Sequence, residues 1–156
     1  MILVRAATPD DAEAMSRVLI ASITALCAAD HGNDPDALAS WLANKTPEGV
    51  CAWFDNPRTG LFVAERGGEV AAVGGIDSDR EIILNYVAPA HRFSGVSKAL
   101  LRAMEAALGP GAASLSSTRT ARQFYRDAGW AETGAIESGA RTVSHPMHKL
   151  LQAAAD

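Results

Sequence analysis

Leu84-Asn85-Tyr86-Val87-Ala88-Pro89-Ala90-His91-Arg92-Phe93-Ser94-Gly95-Val96-Ser97-Lys98 is the stretch on which the reading of this chain turns. It begins inside a run from Glu81 to Val87 whose residues Ile82, Ile83, Leu84 and Val87 leave neither face polar, the pattern of a central strand covered on both sides. Pro89 ends the strand. From Gly95 to Leu108 the residues Val96, Leu100, Met104 and Leu108 form one helical stripe, and Gly109-Pro110-Gly111 stops it. A buried strand that runs through a short loop into a helix leaves main-chain N–H groups unpaired at the positive end of the helix dipole. That is a seat for phosphate. Gly95 lets an anion approach the backbone with no Cβ in the way. Arg92 and Lys98 add charge, and Ser94 and Ser97 add hydroxyl donors. The same residues also serve as ordinary punctuation between a strand and a helix. Neither GxxxxGK[ST] nor GxGxxG occurs, so the Walker loop and the dinucleotide fingerprint are both excluded.

Upstream, Ile2 to Ala6 reads as a first strand. Thr8-Pro9-Asp10-Asp11 supplies an N-cap, a proline suited to the first helical turn and two acids at the positive dipole end. Met15, Val18, Leu19, Ile23 and Leu26 follow at helical spacing, which predicts a helix to about Ala28. Asp30-His31-Gly32-Asn33 reads as a loop. Asp34-Pro35-Asp36 and Thr46-Pro47-Glu48 repeat the start signal and open two short helices, the first carrying Leu38, Trp41 and Leu42, the second Val50, Trp53 and Phe54. The period then changes to two. Leu61 to Glu65 and Glu69 to Ile76 flank Arg66-Gly67-Gly68, a tight hairpin signal. Gly74-Gly75 predicts a bulge or a close backbone approach.

Downstream, Ala112 to Ser117 is a weakly apolar strand. Thr120-Ala121-Arg122-Gln123 reads as a capping box opening a helix with Phe124, Tyr125 and Ala128, and Gly129 closes it. Two last strands fall in Trp130 to Ile136 and Arg141 to Leu151. The order β-α-α-α-β-β-β-α-β-α-β-β describes an α+β, or mixed α/β, domain. With no linker or repeat, residues 1–156 read as one domain.

The 156 residues are 48% hydrophobic and 21% charged, ordinary for a globular domain able to bury a core without staples. The net charge of -4 gives no reason to expect nucleic acid or an anionic membrane as a partner. Cys27 and Cys51 read as reduced thiols of a cytoplasmic protein rather than a disulfide framework. No His/Cys cluster has zinc-ligand spacing, so no metal is expected. No stretch reads as a signal peptide or a membrane span.

Arg92-Phe93-Ser94-Gly95-Val96-Ser97 resembles the Q/R-x-x-G-x-G/A pyrophosphate loop of the GNAT superfamily of acyl-CoA N-acyltransferases, with Ser97 in place of the last Gly or Ala. Tyr86-Val87-Ala88-Pro89 resembles that family's preceding strand end. Thr118-Arg119-Thr120-Ala121-Arg122-Gln123-Phe124-Tyr125-Arg126-Asp127-Ala128-Gly129-Trp130 is similar to its N-x-x-A-x-x-F-Y-x-x-x-G-F segment, with Thr118 where the family often has Asn. The likeness in element order spans almost the whole chain, and the specific motifs lie between Asn85 and Trp130.

The resemblance implies a GNAT-like fold, a mostly antiparallel twisted sheet of about six to seven strands flanked by helices. It implies an acetyl-CoA-dependent N-acetyltransferase moving an acetyl group directly to a primary amine. The strand Glu81–Val87 would splay from Ala112–Ser117, and the pantetheine arm would pair with main chain near Tyr86 and Val87. The amides of Phe93, Ser94, Gly95, Val96, Ser97 and Lys98 would hold the pyrophosphate beside Arg92. Thr118, Ala121 and Phe124 would complete the cofactor contacts. The family places a tyrosine beside the sulfur, which makes Tyr125 the candidate general acid; its other reading is a core aromatic. Glu81 stands where some members carry a base, and reads equally as a solvated strand-edge charge. Strand alternation puts Asn85 on the face of Glu81 and Val87, where it orients water or substrate or else satisfies a bulge. His31 falls in a region that often lines the acceptor pocket, although a lone loop histidine is usually just exposed. The implied partners are acetyl-CoA as co-substrate, a small-molecule or peptide amine and, by analogy with family members that dimerise, a second copy of the chain. A different class stands beside this one: an acyl-CoA-binding sensor or interaction domain without turnover.

Overall fold

A computed structural model describes residues 1–134, 136–138 and 143–153. The elements are β1 (Ile2–Ala6), α1 (Ala12–Leu26), α2 (Ala28–His31), α3 (Pro35–Leu42), α4 (Pro47–Trp53), β2 (Thr59–Arg66), β3 (Glu69–Asp77), β4 (Glu81–Val87), α5 (Val96–Leu108), β5 (Gly111–Ser117), α6 (Arg122–Asp127), β6 (Ala131–Glu132), β7 (Glu137–Ser138) and β8 (Val143–Leu151). Short 3-10 turns at Pro9–Asp11 and Pro89–His91 precede α1 and the loop before α5. The expected mixed α/β architecture is present. The sheet runs β1-β2-β3-β4-β5-β8-β6, with β7 pairing off β8. Every pair is antiparallel except β4 with β5.

The start signals act as their chemistry requires. Asp11 accepts the Thr8 N–H at 2.8 Å and Arg5 of β1 at 2.8 and 2.9 Å, so one carboxylate ties the helix entrance to the sheet edge. Asp34 accepts from the Asp36 amide and Thr46 from the Gly49 amide, each satisfying a free donor of a first turn. Gly67 and Gly68, at φ 62° and 81°, supply the two left-handed residues of the turn between β2 and β3.

Several local expectations are corrected. The first helix ends at Leu26, because Cys27 leaves helical geometry at φ -106°, ψ 24°. Ala28–His31 then forms one further helical turn where a loop was expected, closed by Gly32 at φ 60°. The capping box at Thr120 does not form. Helix α6 starts at Arg122 without a side-chain cap, and the Thr120 hydroxyl donates instead to the Asp30 carboxylate at 2.6 Å. A charged acceptor from α2 wins over the local bond. The Thr118 hydroxyl, two residues earlier, accepts the Ala121 amide. The last-strand segment expected from Arg141 is a strand from Val143, and Arg141 itself lies outside the described residues.

Helices α1 and α4 cover one sheet face, with Met15, Leu19, Val50, Val63 and Val73 in one cluster. Helix α5 covers the other, where Leu100, Leu101 and Met104 meet Ala72, Ile82, Leu115 and Met147. Full burial of each such side chain is worth on the order of 2 kcal/mol. Gly74 makes the second face close. A Cβ there would stand 2.8 Å from Met104 Sδ and 2.9 Å from Leu100 Cδ1. The Gly74-Gly75 signal thus marks both a close approach and a bulge, since the register slips between Gly75 and Ile76.

That slip decides the site. Gly75 pairs with Leu84 and Ile76 with Ile82, so Ile83 is the extra residue on β4. Ile82 and Val87 pack on the α5 side, Leu84 and Tyr86 on the α1 side. Alternation is therefore broken. Asn85 shares a face with Val87 as expected, but Glu81 is turned to the opposite one.

Candidate active site

Strands β4 and β5 pair at only Glu81↔Ser114 and Ile82↔Leu115. Beyond the bulge at Ile83 they part. Arg80, in the β3–β4 turn, fixes where parting begins. Its guanidinium donates to the carbonyls of Leu108, Gly109 and Ala112 at 2.7 to 2.8 Å, and its own carbonyl accepts the Ser114 amide at 3.0 Å. One side chain thereby clamps the end of α5, the start of β5 and the closed end of the split. Nothing in the sequence beyond a turn-position arginine signalled this.

The split opens into a cleft of about 320 Å³. Its walls are Ile82 to Val87 of β4, the loop from Arg92 to Lys98, the end of β5 at Ser116 to Thr118, and Ala121, Phe124 and Tyr125 around α6. The end of α1 closes it with Ser22, Leu26 and Cys27, a contribution that sequence reasoning did not anticipate. The structure thus gathers Tyr86, Val87, Arg92, Phe93, Ser94, Gly95, Ser97, Lys98, Thr118, Ala121 and Phe124 at one cleft. Val96 does not line it, because its side chain is fully buried in the core under α5.

The loop ends in an open helix start. Gly95 caps α5 at φ 86°, and a Cβ on it would meet only Ile2 Cδ1, at 3.8 Å. Its space is open and its backbone conformation is the left-handed one that favours glycine. The first turn of α5 carries no acidic side chain, so no internal carboxylate competes for its free N–H groups. Ser94 Oγ donates back to the His91 carbonyl, which pins the loop.

Tyr125 lies 5% exposed on the cleft wall, edge-on to Phe124 and Trp130 at centroid distances of 5.3 and 6.2 Å. Its hydroxyl accepts from Asn85 Nδ2 at 3.1 Å. Burial pushes the phenol up to about 12, with the Asn85 bond acting in the opposite direction. It is therefore protonated at neutral pH. The Tyr86 phenol is likewise raised by burial, and its side chain packs on the α1-side cluster. Cys27 is a buried thiol pushed up to about 12 by burial and by Asp30, so it is no thiolate nucleophile.

Two expected residues are not brought to the cleft. Glu81 lies at the closed end of the split on the face opposite Asn85, with its amide bonded to Asp77. The bulge at Ile83 is the cause. His31 is buried rather than exposed: Nδ1 accepts the Asn33 amide, Nε2 bonds the Ile23 carbonyl at 2.9 Å, and the ring packs edge-on to Trp41. Both nitrogens are used to hold the corner between α1 and α3.

A second cavity, about 180 Å³, adjoins the first through Ser116, Ser117 and Thr118 and is otherwise lined by Asp30, Trp41, Val143 and Ser144. Among the described residues lining the two cavities, Asp30 is the one acidic side chain. It accepts from the Arg119 and Thr120 amides as well as the Thr120 hydroxyl, so it fixes the loop before α6. Among the described residues no group of His, Cys, Asp and Glu could hold a metal ion, and no helix is long and apolar enough to cross a membrane.

The sheet thus splits at its one parallel pair, with a helix N-terminus on one side of the gap and a buried tyrosine on the other. Residues 15–151 match the model of the acetyltransferase (GNAT) domain, and the chain belongs to that family. Solved structures agree in fold. A GCN5-related N-acetyltransferase from Rhodopseudomonas palustris superposes with a TM-score of 0.82 at 20% identity, covering 96% of this chain and 95% of the other. The PaiA N-acetyltransferase of Thermoplasma acidophilum, solved with coenzyme A, gives 0.79 at 16% identity over 96% and 99%. YncA of Salmonella typhimurium, solved with its cofactor acetyl-CoA, gives 0.69 at 16% identity over 100% and 97%. No curated protein matches the chain.

Proposed function

We propose that this acetyltransferase-family chain binds acetyl-CoA in the β4–β5 split and transfers its acetyl group directly to a primary amine. The observation that carries the reading is the junction of two features in one cleft: an open helix N-terminus at Gly95 and a buried, protonated Tyr125 held by Asn85. The coenzyme supplies an acetyl thioester. The α5 amides and the charges of Arg92 and Lys98 hold its phosphates. The unpaired edge of β4 from Asn85 to Val87 receives the amide-bearing arm as an added strand would, and a main-chain N–H on that edge stabilises the oxygen of the reacting carbonyl.

Asn85 donates into the Tyr125 oxygen, so the phenol's own hydrogen is left to point into the cleft. Tyr125 gives it as a hydrogen bond to the departing sulfur. A phenol raised by burial is a weak acid, so it passes its proton to the leaving thiolate as the C–S bond breaks and is reprotonated by the proton the attacking amine loses, with no standing anion formed. Glu81 does not line the cleft, so its carboxylate is not in the reacting pocket itself. The amine acts as nucleophile in its neutral form, and the cavity beside Asp30 and Trp41 is its approach. A carboxylate and an aromatic face there suit an acceptor that arrives as a cation.

Titration calorimetry with acetyl-CoA, and with ATP and NAD as controls, tests the binding step. The expected result is micromolar binding of acetyl-CoA alone, lost in Gly95→Glu, which sets a carboxylate in the anion seat. Equal binding of ATP, or full affinity in the variant, refutes the seat. Thiol release on adding primary amines tests transfer. Tight binding without release for any amine would favour the sensor domain.

A further inference from the structure

Phe93 is anomalous for a core-forming residue. Its side chain is 92% exposed, at the rim of the cleft, and its backbone is held at φ 61°. A bulky residue in the left-handed region is strained, and such strain concentrates at functional sites. The Arg92 guanidinium carbon lies 4.6 Å from the ring centroid, so the ring is oriented by a cation and still open to solvent. Lys98 lines the same rim. The cleft itself is small. Its volume of about 320 Å³ sits at the low end of the roughly 300–1,000 Å³ that drug-sized ligands occupy. A coenzyme with an acylated pantetheine arm, a pyrophosphate and a phosphorylated nucleoside does not fit inside it. With the arm in the split and the pyrophosphate on the α5 amides, the nucleoside must lie outside, on the rim that carries Phe93.

The geometry points to the Phe93 ring, steadied by Arg92 of the adjoining phosphate seat, as a stacking platform for the adenine of the coenzyme. This rests on the proposal that the cleft takes acetyl-CoA. A flat π-face recognises a purine with little regard to its hydrogen-bonding edge. The exposed ring loses hydration when covered, and the neighbouring guanidinium serves the nucleoside phosphate on the same side.

The test compares acetyl-CoA with S-acetyl-4′-phosphopantetheine, which lacks the nucleotide, on the full chain. Phe93→Gly is the informative variant, because glycine adopts φ 61° readily and removes the ring while leaving the loop amides in place. The expected result is a roughly five- to tenfold weaker Kd for acetyl-CoA, an unchanged Kd for the truncated ligand, and wild-type affinity for both in Phe93→Trp. Upfield shifts of the adenine H2 and H8 resonances on binding should disappear in Phe93→Gly. Equal losses for both ligands in Phe93→Gly would make Phe93 a loop-shaping residue and overturn the platform. So would unchanged affinity for acetyl-CoA, or wild-type protein that binds the two ligands equally well. Wild-type protein that binds neither would instead fell the cofactor reading itself.

Discussion

Asn85 Nδ2 donates to the Tyr125 hydroxyl over 3.1 Å, joining the splayed strand β4 to helix α6 across the cleft. The bond exists because the bulge at Ile83 turns Asn85, and not its α1-side neighbours, to the face where Tyr125 is buried. It couples the position of the phenol to the shape of the split strand.

Tyr125→Phe should therefore lower kcat by on the order of a hundredfold or more while leaving the KM for acetyl-CoA within about threefold, because the ring keeps its contacts with Phe124 and Trp130. Asn85→Ala should lower kcat less, and the double variant should be no worse than Tyr125→Phe alone. Residues acting through one bond are non-additive. Steady-state kinetics on the three variants decide it. Additive losses would separate Asn85 from Tyr125.

The pH profile follows from the burial of Tyr125. With its phenol pushed up to about 12, Tyr125 stays protonated across the working range. The value of kcat/KM should rise with pH as the acceptor ammonium loses its proton. No falling limb should arise from Tyr125 between about pH 8 and pH 10. A falling limb there that vanishes in Tyr125→Phe would show the phenol ionising early.

Arg80→Lys should destabilise the fold by about 1–3 kcal/mol. A lysine keeps the charge and the strained φ of 62° but cannot span the carbonyls of Leu108, Gly109 and Ala112 together. Thermal unfolding should show a fall of roughly 2–4 °C per kcal/mol for a chain of this size. Acetyl-CoA affinity should fall too, since Arg80 sets where β4 and β5 part. An unchanged melting temperature would mean the clamp contributes nothing.

Acid should loosen the C-terminal half through Glu132. Hydrogen bonds from Arg122 and Arg126 hold its carboxyl near 2, against an ordinary 4.5. A carboxyl lowered on folding stabilises the native state above its unfolded value, and that stability drains away as pH falls from about 4.5 toward 2. Glu132→Gln should be less stable than wild type at neutral pH, and the difference should close by about pH 2. Denaturant unfolding at several pH values measures it. A gap that persists at low pH would point to packing rather than charge.

Much of this was legible in the sequence because it is local. The Asp-Pro start of α3, the Thr-Pro start of α4, the Gly67-Gly68 turn, the boundaries of β4 and the helix start after Gly95 each depend on residues a few positions apart. The residues of the pyrophosphate loop and of the segment around Tyr125 pointed to the same cleft from two distant places. Where the reading failed, a partner distant in sequence intervened. Thr120 left its helix because Asp30, ninety positions earlier, offered a charged acceptor. His31 was drawn inside by the Ile23 carbonyl and the Trp41 ring.

The sequence by itself determined the class of fold and the strand-to-helix junction at Gly95, because helix periodicity, strand alternation and turn chemistry are short-range. Only the tertiary structure decided which face each β4 residue serves. A single extra residue at Ile83 inverts strand parity without leaving any mark in composition, since its neighbours on both sides are apolar. It put Asn85 beside Tyr125 and took Glu81 away. The Arg80 clamp is invisible for the same reason, as its three acceptors are main-chain carbonyls, which every residue possesses.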